Sequence, residues 1–231
     1  MTDTEPSRAR QYVTLHPQSR PVTEIEIKRS RFIGYACRVT TEQHARDFLD
    51  EVRQQHREAR HVCHAFVIGP DRDIQRSSDD GEPGGTAGAP ILKAITSRQT
   101  SQAATQLSDV VVAVVRYFGG VKLGAGGLVQ AYSDSAARTL DAARMVRRIR
   151  MQQLRVAMPI AEAGRIETTL RAQGIHLEPT SYAADHALLT IAVPDDPDEL
   201  RSASDRLAAL SAGRAAPRHG ALAWVDLVGT S

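Results

Sequence analysis

The segment that most narrows what this chain can fold into is the apolar run at residues 110–117, Val-Val-Val-Ala-Val-Val-Arg-Tyr. Apolar and polar residues alternate along a half-buried strand, whereas an unbroken apolar run marks a strand buried on both faces. Phe118-Gly119-Gly120 ends the run, five glycines fall within residues 119–127, and Leu128, Tyr132, Ala136, Leu140 and Ala143 then recur as the stripe of a long helix. Glycines let backbone N–H groups approach an anion closely, and a helix N-terminus adds unpaired N–H groups and the positive end of its dipole. Lys122 and Arg116 add full charges. The candidate anion- or phosphate-binding set is therefore Arg116, Gly119, Gly120, Lys122, Gly124, Gly126 and Gly127. The Gly-Lys-Ser/Thr order of a Walker A loop is absent. A tight strand-to-helix turn that requires glycine and holds no ligand is the competing reading.

The rest of the first half supplies the partners of that strand. Residues 1–20 are polar, contain Pro6 and Pro17, and read as a flexible arm. Thr23, Ile25 and Ile27 alternate with Glu24, Glu26 and Lys28 as a half-buried strand, and residues 32–39 form its hairpin partner. Thr40 and Thr41 offer N-caps to an amphipathic helix carrying Ala45, Phe48, Leu49 and Val52. Residues 63–69 are a further strand, residues 77–88 are a loop, and Ile91, Leu92 and Ile95 begin a short helix.

The second half has a different pattern. Strands at 154–159, 175–182, 187–193 and 222–227 alternate with a helix through Ala163, Ile166 and Leu170, closed by Gly174, and a helix opened by Asp196-Pro197-Asp198-Glu199. The order βαββαβ is the ferredoxin-like pattern. The expected division is an arm at 1–20, a first domain at 21–148 and a second at 149–231, with the boundary inside the basic run 144–150. The fold class is α+β.

Composition excludes several classes. A chain of 231 residues with 42% hydrophobic and 24% charged side chains can build a core, and its net charge of +2 means that nucleic-acid binding must come from local clusters. The two cysteines, Cys37 and Cys63, fit a reducing compartment. No apolar stretch marks a secretory signal or approaches the ~20 residues of a membrane span. A cytoplasmic protein with no membrane contact is expected, of unspecified oligomeric state.

Three further segments could carry chemistry. In residues 78–88, Asp79, Asp80 and Glu82 bring three carboxylates within four residues, with Gly81 and Thr86 completing a candidate functional loop. Such oxygen density could hold Mg²⁺, although the spacing is not that of an EF-hand. A solvated turn with side-chain caps and a recognition loop whose shape matters are the alternatives. His61 and Cys63 lie two apart on one face of a strand and could serve as metal ligands or a nucleophile, or form an ordinary buried Cys beside a hydrogen-bonded His. Arg144, Arg147, Arg148 and Arg150 suit phosphate contacts, and equally suit a solvated linker. Aromatics are only 4% and none interleaves with that run, which gives base stacking there little support.

Ser30-Arg31-Phe32-Ile33-Gly34, His61-Val62-Cys63-His64-Ala65-Phe66, the stretch 78–88 and Val115-Arg116-Tyr117-Phe118-Gly119-Gly120-Val121-Lys122-Leu123-Gly124 together resemble the Impact/YigZ family. The resemblance covers about residues 20 to 145, and the segment after it is similar to the extra domain of bacterial YigZ-type members. Gly84 departs from the family pattern, which usually has Ser there, and this weakens any scheme needing a hydroxyl nucleophile. The resemblance implies a ribosomal protein S5 domain 2-like first domain and a second like the last domain of the ribosomal translocase. It also implies a translation-linked regulatory or binding protein that contacts the ribosome, rRNA, tRNA or a translation factor, with no cofactor firmly implied. The eukaryotic members, which dampen activation of a kinase, carry an extra RWD domain that the 20-residue arm is too short to supply, so the resemblance does not imply that role here.

The alternative is a Mg²⁺-dependent phosphoryl-transfer or hydrolytic enzyme in which the carboxylate loop and the glycine loop face each other. No complete nucleophile, base and orienting group is visible, and no peptidase metal motif is present. Both readings expect the two loops on the same face of the first domain.

Overall fold

The computed structural model describes residues 9–99, 107–211, 213 and 216–227. Two compact units divide between Arg148 and Ile149, and the second runs to Asp226. The first contains β1 (Gln11–Leu15), β2 (Val22–Ile27), β3 (Ser30–Arg38), α1 (Glu42–Gln55), β4 (His61–Ile68), β5 (Ile74–Ser78), α2 (Gly88–Thr96), β6 (Val110–Tyr117) and α3 (Gly124–Asp141).

The apolar run is the central strand of an antiparallel sheet ordered β2-β3-β6-β4-β5. Because side chains alternate across a strand, its residues divide between two cores. Val110, Val112 and Val114 pack with Phe32, Ala65, Ile91, Tyr132 and Leu140 under α2 and α3. Val111, Ala113 and Val115 pack with Phe48, Leu49, Val52 and Phe66 under α1. Helices on both faces are what a strand without a polar face requires. Of the two threonines offered as caps, Thr41 performs the role: its hydroxyl accepts the His44 N–H at 3.1 Å.

Three expectations need correction here. Residues 11–15 belong to no flexible arm. They form β1, with Tyr12 and Leu15 fully buried, paired with β7 (Met145–Met158) and bridged to Leu107. The basic run 144–150 is no linker either, because residues 145–150 lie within β7. Ser77 and Ser78, expected at the start of the loop at 77–88, instead end a strand, β5, at residues 74–78. This edge strand exposes Gln75, Arg76 and Ser77, has no alternation to read, and is held by pairing with β4.

The second unit continues from β7 through α4 (Ile160–Ala172), β8 (His176–Leu177), β9 (Ser181–Tyr182), β10 (Ala187–Pro194), α5 (Pro197–Leu210) and β11 (Arg218–Leu227). β10 pairs antiparallel with β7, β8 and β9, and β11 pairs with β7. The single strand expected at 175–182 is two short ones with Pro179, which lacks an N–H for the ladder, between them. Leu154, Ile166, Leu170, Leu189, Ile191 and Leu207 form the core. Asp196 caps α5, accepting the Asp198 N–H at 3.0 Å with Pro197 next in sequence, and Gly174 follows α4 at φ +76°. The fold is α+β with two antiparallel sheets. Among the described residues no helix is long and apolar enough to cross a membrane.

Candidate functional site

The carboxylate and glycine loops meet at a cavity of about 870 Å³ in the first unit. Glu82 and Pro83 line it from one loop, and Phe118, Lys122, Leu123, Gly124 and Ala125 from the other. Glu58, Arg60, His61, Arg116, Tyr117 and Leu128 complete the wall. The shared face expected from sequence is therefore present, and the carboxylates of the first loop can be followed to their partners.

Asp79 turns inward. Its carboxylate accepts the backbone N–H groups of Gly85, Ala87 and Gly88 at 2.8, 2.9 and 2.8 Å. These donors belong to the loop and the start of α2, a helix whose own N-cap residue, Ala87, has no capping side chain. Burial pushes the Asp79 carboxyl upward, but the three N–H donors together outweigh it and hold the group below the ordinary carboxylate value. Asp80, in the left-handed region at φ +42°, accepts the Val62 N–H at 2.7 Å and lies 3.5 Å from Arg53 Nη2. Gly81 lies against the His61 ring, and the buried Thr86 hydroxyl donates to the Pro83 carbonyl at 2.7 Å. The loop is thus a self-satisfied turn whose carboxylates are already engaged by protein donors. Among the described residues no three His, Cys, Asp or Glu side chains are placed to hold a metal ion.

Glu82 forms the floor of the cavity. Its side chain is 4% exposed and pairs with Arg116 Nη1 at 2.6 Å, while Tyr132 donates its hydroxyl to the same oxygen at 2.8 Å. Arg116 is therefore no free phosphate ligand. Its guanidinium is 8% exposed in side-chain terms, is neutralised by Glu82, and lies 5.5 and 5.6 Å from the ring centroids of Phe32 and Phe118. Cys63 Sγ lies 3.4 Å from the Tyr132 hydroxyl and donates to the Asp79 carbonyl at 2.9 Å. Burial pushes this thiol up to about 12, so it is not a thiolate nucleophile at neutral pH. His61 donates from Nδ1 to the Asp80 carbonyl at 2.8 Å, which makes Nε2 the acceptor in the neutral ring.

The glycine loop has structural and open positions. A Cβ on Gly119 would lie 2.0 Å from the Arg29 carbonyl carbon, so packing alone demands glycine there. At Gly126, in the first turn of α3, a Cβ would meet nothing within 4 Å. Leu123 cannot cap α3 and no side chain does, so the first N–H groups of the helix have no intrahelical or capping acceptor. Lys122 is exposed beside them. Gly120 and Gly124 hold positive φ, and Gly127 packs its backbone near Leu123.

The arginine run, read from sequence equally as phosphate contacts or a solvated linker, divides into two exposed and two internally paired side chains. Arg148 Nη1 donates to the Tyr12 hydroxyl at 2.7 Å and lies 3.4 Å from Asp109, whose carboxylate also accepts from Tyr12 and, at 2.9 Å, from the Gly69 N–H. Arg150 pairs with Asp195 at 2.6 Å and is 10% exposed. Strand geometry sends these two side chains to internal carboxylates. Arg144 contacts His16, and Arg147 is exposed. Sequence reasoning missed Phe118, Arg60 and Glu58 as cavity residues and Tyr132 as a floor residue. Phe118 was legible, since it stands two residues after Arg116 and so shares its face.

The three-layer first unit and its glycine-loop cavity correspond to a described class: residues 28–140 match the Impact N-terminal domain. Over 203 residues, covering 88% of this chain and 89% of the other, the sequence is 36% identical to the IMPACT family member YvyE of Bacillus subtilis. The chain belongs to the IMPACT family. It is also 42% identical over 123 residues to the IMPACT family member YigZ of Escherichia coli, covering 52% of this chain and 57% of that one. A crystal structure of a hypothetical protein matches at TM-score 0.60 and 30% identity, over 90% of this chain and 96% of that one.

Proposed function

We propose that this chain is a translation-linked binding protein of the cytoplasm, and that the cavity of its first unit holds phosphate groups of ribosomal or transfer RNA. One observation carries the reading. The uncapped start of α3 opens onto the same cavity as Lys122 and Arg60, while the buried acidic group in the wall, Glu82, is neutralised by Arg116. N–H donors and cations at a helix N-terminus suit an anion, and Glu58 is the remaining acidic side chain of the lining. That balance favours RNA over a protein factor. Family membership and the fold support a link to translation. A central strand with helices on both faces suits an S5 domain 2-like unit. In the second unit, β11 beside β7 and β8 beside β10 suit the ferredoxin-like domain of a translocase.

Sedimentation with ribosomes across a salt series tests this. The wild-type chain is expected to pellet with ribosomes at low salt and to be released as salt rises, with Lys122→Ala and Arg60→Ala released earlier. Association indifferent to salt, or none at all, rejects the proposal.

A further inference from the structure

We infer that the cavity takes an unpaired nucleotide, with its base stacked on Phe118 and its phosphate towards Lys122 and the start of α3. This rests on the phosphate reading above and adds the chemical class of the ligand.

Phe118 is 57% exposed and lines the cavity. A single exposed aromatic is ordinary on a protein surface; this one rests against a buried cation. It follows Arg116 by two residues, and the guanidinium lies 5.6 Å from its ring centroid. The same guanidinium lies 5.5 Å from the ring centroid of Phe32, which is fully buried. Arg116 itself is held by Glu82, which also receives the Tyr132 hydroxyl. Contact with the buried Arg116 ties the exposed Phe118 ring to the core, and more than half of the residue's surface stays open to a ligand. A ring already held against the core loses less freedom when a flat partner lands on it.

The surroundings supply what the rest of a nucleotide needs. Lys122 offers charge for a phosphate, and Leu123 and Leu128 add apolar wall. His61, with Nδ1 donating to Asp80, presents Nε2 as an acceptor for a ribose hydroxyl or an exocyclic amine. A cavity of about 870 Å³ admits a small ligand of this size. A paired base has neighbours stacked on both faces, so a duplex offers nothing for Phe118 to cover, whereas loops and single strands do.

The experiment measures anisotropy of a labelled five-residue single-stranded RNA, and of a blunt RNA duplex, against the full chain. Inorganic phosphate and a deca-glutamate peptide serve as competitors. Circular dichroism confirms that each variant is folded. The single strand is expected to bind more tightly than the duplex. Phe118→Ala should weaken it roughly 5- to 150-fold with the salt slope unchanged. Phe118→Trp should keep the affinity, and Lys122→Ala should lower affinity and slope together. If Phe118→Ala leaves single-strand affinity unchanged while Lys122→Ala still weakens it, the nucleotide inference is overturned and the phosphate reading stands. If Lys122→Ala also has no effect, both fall. A peptide that displaces the RNA in a Phe118-dependent manner assigns the cavity to an acidic protein segment and overturns the inference.

Discussion

Replacing Glu82 with alanine removes the one carboxylate that both the Arg116 guanidinium and the Tyr132 hydroxyl use, at 2.6 and 2.8 Å. Arg116 is only 8% exposed, so water entering from the cavity replaces the carboxylate only in part. Breaking a buried pair by deleting one partner costs about 3–5 kcal/mol. The orphaned hydroxyl adds about 1–3 kcal/mol, with overlap because both groups share one acceptor. A loss of roughly 4 kcal/mol follows, which a domain of ordinary stability survives. Native-state hydrogen exchange of β6 and α3 amides reads it directly: their protection should fall on the order of 1,000-fold, since each 1.4 kcal/mol is a factor of ten. Glu82→Leu combined with Arg116→Met, which removes both charges, should recover most of that protection. Protection in Glu82→Ala within about tenfold of wild type, or a double variant as damaged as the sum of the singles, would refute the reasoning.

Asp79 should make the stability of α2 depend on acid. Its folded pKa lies below the ordinary 3.8, so its contribution is present above that value and is lost as pH falls through the lower folded one. Exchange of α2 amides between pH 6 and 3 should lose up to about 1 kcal/mol of protection in wild type and show no such acid-dependent step in Asp79→Asn; equal pH dependence in both contradicts this. Arg148→Ala should destabilise the first unit in urea by a few kcal/mol, as expected for a broken buried pair, while leaving RNA affinity and its salt slope unchanged in the folded protein. In thermal melts, Gly119→Ala should lower stability by about 1–3 kcal/mol through its clash with Arg29. Gly126→Ala should raise stability by up to about 1 kcal/mol, since its Cβ meets nothing within 4 Å.

Local signals were legible and distant partners were not. The unbroken apolar run identified β6, Thr41 and the spacing of Phe48, Leu49 and Val52 identified α1, and Asp196-Pro197 identified the start of α5. In each case the determining contacts lie within one or two turns or follow from strand periodicity. β1 was missed because its burial comes from distant residues: Leu15 packs into the first unit's core, and Tyr12 donates to Asp109, 97 residues on. Phosphate contacts stayed open for the arginine run because Asp109 and Asp195, the partners of Arg148 and Arg150, are 39 and 45 residues away. Likewise the sequence left a capped turn and a Mg²⁺ site both open for the carboxylate loop, because its amide donors and Arg116, 34 residues from Glu82, become neighbours only on folding. The convergence of the two loops was readable, since each is polar, glycine-rich and abuts a helix start. Which loop groups remain open to a ligand depends on caps, clashes and ion pairs that only the fold decides.

The measurement that bears most directly on the central claim is the salt dependence of single-stranded RNA binding by wild type and Lys122→Ala, titrated by filter binding. The account predicts that log K falls linearly with log salt for the wild type, and that Lys122→Ala flattens the slope by roughly 0.7 for one lost phosphate contact. Arg148→Ala should leave the slope as it was. A wild-type slope of zero, or one that Lys122→Ala does not change, contradicts the account.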